Sequence, residues 1–244
     1  MKDYQPEKSF DETVAASYDE LARRGDEALT VAFLEQLAQG GRTLELAIGT
    51  GRIALPLAAR GVPVEGIDLS PAMVARLRDK PGGERIPVHV GNFADVAVSG
   101  PYRLIYVVFN TLFNLLTQEE QVRCFVNVAD HLEEGGFFVV EGGTPAEYYR
   151  LRNNQYVAAE AVEVDQVRLD VARFDPVTQL LEESHVTLSG AGVTLNPVVT
   201  RYAWPSELDL MARIAGLRLQ ERWGGWNREP FTADSRNSVS VYVR

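Results

Sequence analysis

The stretch RTLELAIGTGRIALPLAARGVPVEGID, residues 42–68, decides the fold of this 244-residue chain. An apolar run around Leu44 and Leu46 predicts a first strand, and Gly49 and Gly51 follow it as a tight turn. A helical pattern and a second apolar run come next, and the second run ends at an acid. A nucleoside cofactor needs this order, because small residues let backbone N–H groups come close and a helix start favours anionic groups.

The spacing of the small residues separates this turn from a dinucleotide site. A dinucleotide site needs G-x-G-x-x-G after the strand, whereas Glu45, Ala47, Gly49 and Gly51 here occupy alternate positions. Asp68 lies 68 − 51 = 17 residues beyond the last glycine of the turn, where an acid can bind both ribose hydroxyls. The pattern resembles motif I of the class I methyltransferases, which use S-adenosylmethionine.

That resemblance implies a role for each residue of the motif. Glu45 would help to hold the methionine ammonium of the cofactor, and Asp68 would bind the ribose hydroxyls. Ala47 stands where the family has its first glycine, so we expect an ordinary backbone geometry there. Leu69 and Met73 match the family's ribose and adenine segment. Met73 would cover one face of the adenine, or serve as an ordinary core residue.

A third strand predicted at residues 86–90 leads into Asn92 and Phe93. The family commonly has Gly-Asp and an apolar residue here, and its acid accepts a hydrogen bond from the adenine amino group. The amide oxygen of Asn92 can still accept, although a simple turn is the alternative. The resemblance therefore implies S-adenosylmethionine as cofactor, S-adenosylhomocysteine as product and no metal.

The apolar run at residues 104–109 predicts the central strand. The loop that follows it should face the transferred methyl group, because ligands in open α/β sheets lie beyond the carboxyl ends of the strands. Phe109 is expected to contact the substrate, and Asn110 and Phe113 to shape the reacting centre. Residues 109–113 include no histidine, lysine or carboxylate. Methylation of a hydroxyl usually needs a general base, whereas an unprotonated amine needs only alignment and desolvation. We therefore predict N-methylation of an amine.

Two residues outside this loop keep other readings open. Glu141, at the end of the fifth predicted strand, would orient or deprotonate a substrate ammonium, or form a salt bridge. His185 is the histidine expected to reach the substrate. An O-methyltransferase that uses His185 or Glu141 as base is the first alternative. A methyltransferase-like fold that binds the cofactor without methyl transfer is the second.

The N-terminal segment supplies three aromatic residues, Tyr4, Phe10 and Tyr18. The resemblance implies that residues 1–40 form a helical lid over the cofactor, with Tyr18 near its methionine end. Aromatic faces attract a sulfonium for the reason that they attract ammonium ions. Tyr4 and Phe10 would then contact the substrate; the alternative is a helix that packs on the core through its aromatic residues.

Composition excludes several classes of function. A net charge of −10 argues against nucleic acid as a partner, since phosphate binding needs a basic face. No apolar run approaches the ~20 residues of a membrane span, and the N-terminus has no apolar signal core. The single Cys124 excludes an internal disulfide and a cysteine-based metal site. These features predict a cytoplasmic protein.

The predicted architecture is α/β: a Rossmann-like open parallel sheet with an antiparallel terminal strand and an inserted antiparallel β meander. Residues 1–244 form one methyltransferase domain, with the meander at residues 150–203 as a substrate wall or a homo-oligomer contact. The chain resembles the small-molecule methyltransferases of antibiotic pathways that methylate amines. Its predicted partner is a small-molecule acceptor of the secondary-metabolite kind.

Overall fold

The computed structural model describes residues 4–21, 24–95 and 97–244. Its centre is a seven-stranded sheet in the order β10-β11-β5-β4-β1-β2-β3, in which the first five strands of the chain run parallel and β11 runs antiparallel to both neighbours. This confirms the predicted open sheet with an antiparallel end. The strands are β1 Thr43–Leu46, β2 Val64–Asp68, β3 Val88–Val90, β4 Tyr102–Val107, β5 Leu132–Gly143, β10 Arg218–Trp223 and β11 Asn237–Val243.

Six α-helices accompany the strands within the described part of the chain. Apolar clusters cover both faces of the central strands, which explains why residues 104–107 of β4 form an uninterrupted run without charge. No helix among the described residues has the length and apolar character needed to cross a membrane. The helices are α1 Glu12–Leu21, α2 Glu27–Ala38, α3 Ala54–Ala59, α4 Pro71–Arg78, α5 Gln118–His131 and α6 Pro205–Ile214.

A second sheet has four antiparallel strands in the order β6-β7-β8-β9, as the meander pattern predicts. It projects between β5 and α6 along the chain. Its strands are β6 Gln155–Val162, β7 Gln166–Asp175, β8 Leu180–Ser189 and β9 Gly192–Arg201.

Two predicted element boundaries were wrong for local reasons. The sequence of residues 9–24, with its acidic first turn and the glycine that follows, predicts a single helix, but a 3₁₀ helix, Pro6–Phe10, precedes α1. Asp11 separates the two, because its carboxylate accepts the N–H groups of Thr13 and Val14 at 2.9 and 3.1 Å and so caps α1. The predicted positions 22 and 23 lie outside the described residues.

The central strand was expected to reach residue 109, but β4 ends at Val107. Phe109 and Asn110 both adopt left-handed backbone conformations, with φ of 67° and 62°, which no strand accommodates. The strand order reverses between β1 and β4, so the segments that follow these two strands diverge and leave a crevice at the carboxyl edge of the sheet.

Candidate active site

The glycine turn lies at this crevice, directly after β1. Gly49 has φ +55°, and a Cβ atom there would stand 3.5 Å from Cε of Met73. Gly51 has φ +77°, and a Cβ atom there would approach Cδ1 of Leu77 to 2.9 Å. A cavity, called the main cavity below, lies in this crevice, and Gly49 is part of its lining. Gly49 therefore leaves space in the main cavity, whereas Gly51 permits close packing between the turn and α4.

Ala47 corrects one expectation. Its φ is +55°, in the left-handed region, instead of the ordinary geometry predicted for an alanine at this position. A side chain with a Cβ costs roughly 1–2 kcal/mol in that conformation. The family's glycine at this point therefore has a conformational reason, and alanine retains the turn at some cost in stability.

The effect of substitutions at Ala47 on the free energy of unfolding is expected to depend on backbone strain instead of strand propensity. Ala47→Gly should stay within about 1 kcal/mol of the parent, because relief of the left-handed strain offsets glycine's greater chain entropy. Ala47→Val should lower the free energy of unfolding by roughly 2 kcal/mol or more, because a β-branched residue at positive φ is a true outlier. Urea denaturation of the three proteins checks the order, and a valine variant as stable as the parent contradicts it.

Asp68 connects the end of β2 to the glycine turn. Its Oδ2 accepts the backbone N–H of Gly49 at 2.7 Å, and its Oδ1 accepts that of Ser70 at 2.8 Å. Burial raises the pKa of the Asp68 carboxyl, and the backbone N–H groups of Ser70, Gly49 and Leu69 act in the opposite direction. A carboxylate offers about four acceptor positions, so it can still accept from a hydroxyl donor. The carboxylate is thus fixed in place at the cavity wall.

Glu45 lies deeper than Asp68 and is not among the residues that line the cavity. Its side chain is buried, and the Tyr106 hydroxyl donates to its Oε2 at 2.9 Å. Burial raises the pKa of Glu45 to about 8, although the Tyr106 hydrogen bond and the charge of Arg52 lower it. The ligand-free protein therefore holds Glu45 largely protonated at neutral pH.

The main cavity collects most of the predicted cofactor residues. Ser70 caps α4 by accepting the N–H of Met73 at 3.2 Å, and its hydroxyl donates to the carbonyl of Phe10 at 2.6 Å. One hydroxyl thereby joins the cofactor side of the cavity to the N-terminal segment. The predicted cofactor residues in the lining are Ala47, Gly49, Asp68, Leu69, Met73, Asn92 and Phe93.

Asn92 and Phe93 form the wall that follows β3. The Asn92 amide oxygen accepts the backbone N–H of Ala94 at 2.9 Å, which is the turn geometry given above as the alternative. The same oxygen retains a second acceptor position, and both side chains border the cavity. Turn formation and cofactor contact are therefore compatible at Asn92.

The N-terminal aromatic residues line the same cavity. Tyr4, Phe10 and Tyr18 all border it, and the rings of Phe10 and Tyr18 meet edge to face with centroids 6.3 Å apart. Asp19 fixes α1 to the glycine turn, since it accepts the Thr50 hydroxyl and pairs with the Lys80 ammonium, both at 2.5 Å. The N-terminal segment therefore both packs on the rest of the protein and lines the cavity.

The loop after β4 contributes other residues than those predicted. Phe109, Asn110 and Phe113 do not border the main cavity, and their substrate or catalytic roles stay predictions. Asn110 instead accepts the N–H of Gly143 at 2.5 Å, and Phe113 packs against Gly142. The residues of this region that do border the cavity are Thr111, Asn114, Leu115, Leu116 and Glu120.

Glu120 had a detectable sequence signal. Thr117 and Glu120 form a capping box at the start of α5, in which each side chain bonds the backbone N–H of the other. The spacing T-x-x-E before an apolar helical face predicts such a helix start. Because α5 begins at the carboxyl edge of the sheet, the signal was enough to place Glu120 beside the crevice.

Glu141 has the salt-bridge geometry that the sequence left as an alternative. It is 2% exposed; its Oε1 contacts Nη1 of Arg24 at 2.6 Å, and its Oε2 accepts the N–H of Phe109. The guanidinium groups of Arg52 and Arg24 lie 3.6 and 4.8 Å from the centre of the Phe109 ring. Glu141 thus holds the left-handed start of the loop whose later residues border the cavity.

Loss of the ion pair between Glu141 and Arg24 is expected to destabilise the protein. Arg24→Leu and Glu141→Gln should each lower the free energy of unfolding by about 2 kcal/mol, below the full effect of a buried pair because Arg24 is partly exposed. The double variant should lose little more than either single variant. Chemical denaturation measures all four proteins, and additive losses would show that the two side chains are not coupled.

His185 lies away from the cavity. Its Nδ1 stands 2.7 Å from Oε1 of Glu160, and its side chain is 40% exposed on the four-stranded sheet. It is not among the residues that line the main cavity. Its predicted contact with substrate stays a prediction that this arrangement does not support.

The cavity residues suit S-adenosylmethionine. A fixed carboxylate at the end of β2 matches a ribose, the apolar side chains of Leu69, Met73 and Phe93 match a flat base, and Gly49 leaves room for a chain beside the backbone. Within the described residues no group of three or more histidine, cysteine or acidic side chains is arranged to hold a metal ion.

Comparisons with known proteins agree with this site. A family model described as a methyltransferase domain matches residues 43–136. The structure of the CcbJ methyltransferase from Streptomyces caelestis is 39% identical, with a TM-score of 0.92 over 98% of this chain and 99% of that chain. The cypemycin N-terminal methyltransferase of a Streptomyces species is 26% identical over 96% of this chain and 97% of its own length.

A third similarity concerns the fold. The S-adenosylmethionine-bound structure of CalS10, an amino pentose methyltransferase of calicheamicin biosynthesis from Micromonospora echinaspora, is 23% identical. It aligns with a TM-score of 0.70 over 95% of this chain and 96% of that chain. Motif, cavity and whole-length similarity agree: the chain belongs to the S-adenosylmethionine-dependent methyltransferases and is related to those of antibiotic pathways.

Proposed function

We propose that this methyltransferase transfers its methyl group to the nitrogen of an amine on a small secondary metabolite. The observation that carries the proposal is the composition of the cavity wall away from the predicted cofactor residues. Tyr4, Phe10, Tyr18, Thr111 and Asn114 supply aromatic, hydroxyl and amide groups. The described lining contains no histidine or lysine, and its carboxylates are those of Asp68 and Glu120. Such a wall positions and desolvates an acceptor and offers few groups able to remove a proton.

The reaction needs little beyond that. The bound cofactor supplies an electrophilic methyl group on a sulfonium. The amine lone pair forms the new N–C bond as the S–C bond breaks, S-adenosylhomocysteine is left, and the product ammonium then loses a proton to water. The chain's contribution is to hold the amine in line and to exclude water from the crevice.

Each cofactor residue has a proposed task within this function. Asp68 binds the ribose hydroxyls, Met73 and Phe93 lie along the adenine, and Asn92 accepts from its amino group. Gly49 lets the backbone approach the methionine part. Their common support is that all five border one cavity. Glu45, behind the turn, is proposed to ionise and attract the methionine ammonium from the second layer of residues.

The N-terminal aromatic residues are proposed to face the acceptor and the sulfonium. Burial raises the pKa of the Tyr18 hydroxyl, so this group stays neutral at physiological pH and acts as a hydrogen-bond donor. The aromatic faces of Tyr18 and Phe10 would favour a positive centre between them. Closure of residues 1–40 as a lid, and a cytoplasmic location, stay predictions.

The activities after which two relatives are named support an amine acceptor without identifying it. One relative is described as an N-terminal methyltransferase and another as an amino pentose methyltransferase. Their acceptors differ from each other, so neither is transferred to this chain. The proposed class is a small molecule, or a short segment, that presents a free amine.

The two residues expected to act as base in the O-methyltransferase alternative are already paired with other groups. Glu141 is paired with Arg24 and the Phe109 N–H, and His185 with Glu160. Glu120 borders the cavity and therefore becomes the candidate base for that alternative. Its Oε2 is bonded to both the N–H and the hydroxyl of Thr117, which identifies it first as a capping group.

A transfer assay with methyl-labelled cofactor tests the proposal. The purified enzyme is given matched panels of amines and of alcohols or phenols, and we expect label on nitrogen only. Glu120→Gln, which preserves the capping box, should keep most of the activity. Label found only on hydroxyls, with loss of transfer in Glu120→Gln, would favour the O-methyltransferase. Cofactor binding without transfer to any acceptor would favour the other alternative, a methyltransferase-like fold that binds the cofactor without methyl transfer.

A further inference from the structure

Gln121, in the first turns of α5, is a polar residue with 0% exposure. Its Nε2 donates to the carbonyl oxygens of Leu115 at 3.0 Å and Arg201 at 2.8 Å, and its Oε1 accepts from Nη1 of Arg201 at 2.6 Å. An amide nitrogen carries two hydrogens, so both donors are used. The reversed amide would set its oxygen against two carbonyl groups, and these contacts therefore permit only one orientation.

The first carbonyl that this amide holds belongs to the wall of the main cavity. Leu115 borders the cavity, and so do Thr111, Asn114 and Leu116. These residues are separate from the predicted cofactor residues, and they precede α5 in the chain. We call residues 111–116 the loop wall. A buried side chain of the following helix thus fixes the backbone of the loop wall from behind.

Arg201 orients the Gln121 amide and is itself held by a carboxylate of α6. It is 5% exposed, and its Nη2 donates to Oε1 of Gln179 at 2.8 Å and to Oε1 of Glu207 at 2.7 Å. Burial raises the pKa of the Glu207 carboxyl, but hydrogen bonds from Gln179, Arg201 and Gln118 outweigh this effect and the pKa is lowered. Glu207 is therefore ionised at neutral pH. A buried polar network with its partners in place favours a single arrangement.

The second carbonyl that Gln121 holds lies on the outer edge of the four-stranded sheet. β9 is the last strand in the order of this sheet, and Arg201 is its final residue. Carbonyl groups of successive strand residues point to alternate edges, so Pro197 and Arg201 direct theirs to the same edge. The Pro197 carbonyl accepts the Ser9 hydroxyl at 2.7 Å. Side chains from two distant segments therefore occupy this edge.

Ser9 belongs to another part of the cavity wall. It is 2% exposed and lies between Tyr4 and Phe10, which both border the main cavity. The edge of β9 thus holds the N-terminal segment at Pro197 and the loop wall at Arg201. The two attachment points are four residues apart, about 14 Å at ~3.4 Å per residue. One strand therefore sets the relative position of two parts of the wall.

We propose that Gln121 and Arg201 are positioning residues for the methyl acceptor, because they fix the loop wall to the edge of β9. The inference rests on the proposed function only in that the loop wall and the N-terminal segment contact the acceptor. Without the Gln121 hydrogen bonds, the loop wall has to be ordered each time an acceptor binds, at a cost in affinity. The predicted cofactor residues lie on other segments and keep their positions.

Gln121→Met tests the proposal, because it keeps the side-chain length and removes all three hydrogen bonds. Amide hydrogen exchange of the ligand-free protein, followed by mass spectrometry, should become about tenfold faster in the loop wall and stay unchanged in residues 43–49. Kinetics use the acceptor that the parent labels fastest in the transfer assay. Its KM should rise about tenfold, with kcat and the Kd of S-adenosylhomocysteine within about twofold of the parent.

Asp209→Asn is the matched control. Asp209 of α6 pairs with Arg222 at 2.5 Å in another ion pair of low exposure, and neither residue borders the main cavity. Its loss should destabilise the protein but leave the acceptor KM and the exchange of the loop wall as in the parent. Gln121→Glu is a second test variant, which keeps an oxygen for Arg201 and removes only the two donors. The same changes are expected for it as for Gln121→Met.

Parent-like exchange of the loop wall, or an acceptor KM that does not rise, would overturn the proposal. A parallel loss of affinity for S-adenosylhomocysteine, or an equal rise of KM in Asp209→Asn, would overturn it too, since each indicates general loosening. The assay accepts an amine or a hydroxyl compound. Transfer to hydroxyls only would therefore refute N-methylation, and the same measurements would still decide this inference. If no acceptor takes up label, the exchange rates decide it.

Discussion

Asp68→Asn is expected to weaken binding of S-adenosylhomocysteine about a thousandfold, because two charge-assisted hydrogen bonds to the ribose, together roughly 4 kcal/mol, are lost. The carboxylate is already oriented by the N–H groups of Gly49 and Ser70. Binding therefore gains the full benefit of the charge without a cost of ordering. Calorimetric titration measures the effect.

Asp95→Asn is the matched control for this change. Asp95 lies after β3, is 57% exposed, pairs with Arg123 at 3.0 Å and does not border the cavity. Its loss should leave cofactor affinity unchanged. A 2′-deoxy analogue of S-adenosylhomocysteine gives a second check: the parent should discriminate against it, and Asp68→Asn should not. Parent-like affinity in Asp68→Asn would remove the ribose assignment.

Glu45→Gln is expected to stabilise the ligand-free protein at pH 8 and to have no such effect near pH 4. The folded-state pKa of Glu45 is raised from 4.5 to about 8. Between these values the folded state retains a proton that the unfolded state has released. Stability from this group is therefore fully present below the unfolded pKa and falls as pH rises, by about 1.4 kcal/mol per unit and at most roughly 4–5 kcal/mol in total.

The measurement is the difference in unfolding free energy between Glu45→Gln and the parent across this pH range, in which all other titrating groups cancel. Glutamine retains an oxygen to accept the Tyr106 hydroxyl, so the change isolates ionisation. Cofactor binding adds an independent prediction: if Glu45 ionises beside the methionine ammonium, binding at pH 7 releases a proton, seen by calorimetry in buffers of different ionisation enthalpy. A pH-independent difference would exclude the raised pKa.

The grouping of most of the predicted cofactor residues at one cavity was predictable because their signals are local in sequence. Strand, turn and terminal acid lie within residues 42–68, and the register of β1 and β2 then brings Gly49 and Asp68 together. The open sheet with its antiparallel end was predicted for the same reason, since each element has its own periodicity and turn chemistry. The resemblance added the identity of the cofactor.

The positions of the residues predicted to contact substrate depend on contacts between distant parts of the chain, which periodicity does not reveal. Glu141 meets Arg24 across 117 positions of sequence, so no local pattern indicated that its carboxylate was already paired. His185 was expected near the acceptor because of its residue type, but its strand directs it to Glu160. The backbone of Ala47 was mispredicted because the turn between β1 and α3 overrides the conformational preference of alanine.

The hydrogen bonds that anchor the N-terminal segment have a consequence for how this enzyme changes over evolution. The segment is held through the Phe10 carbonyl by Ser70, through Ser9 by Pro197 and through Asp19 by Thr50. The rings of Phe10 and Tyr4 take no part in the two contacts to Ser70 and Thr50. If these rings face the acceptor as proposed, they can be substituted while the Ser70 and Thr50 attachments persist, so a lineage can acquire new acceptors with the methyl-donor machinery unaltered.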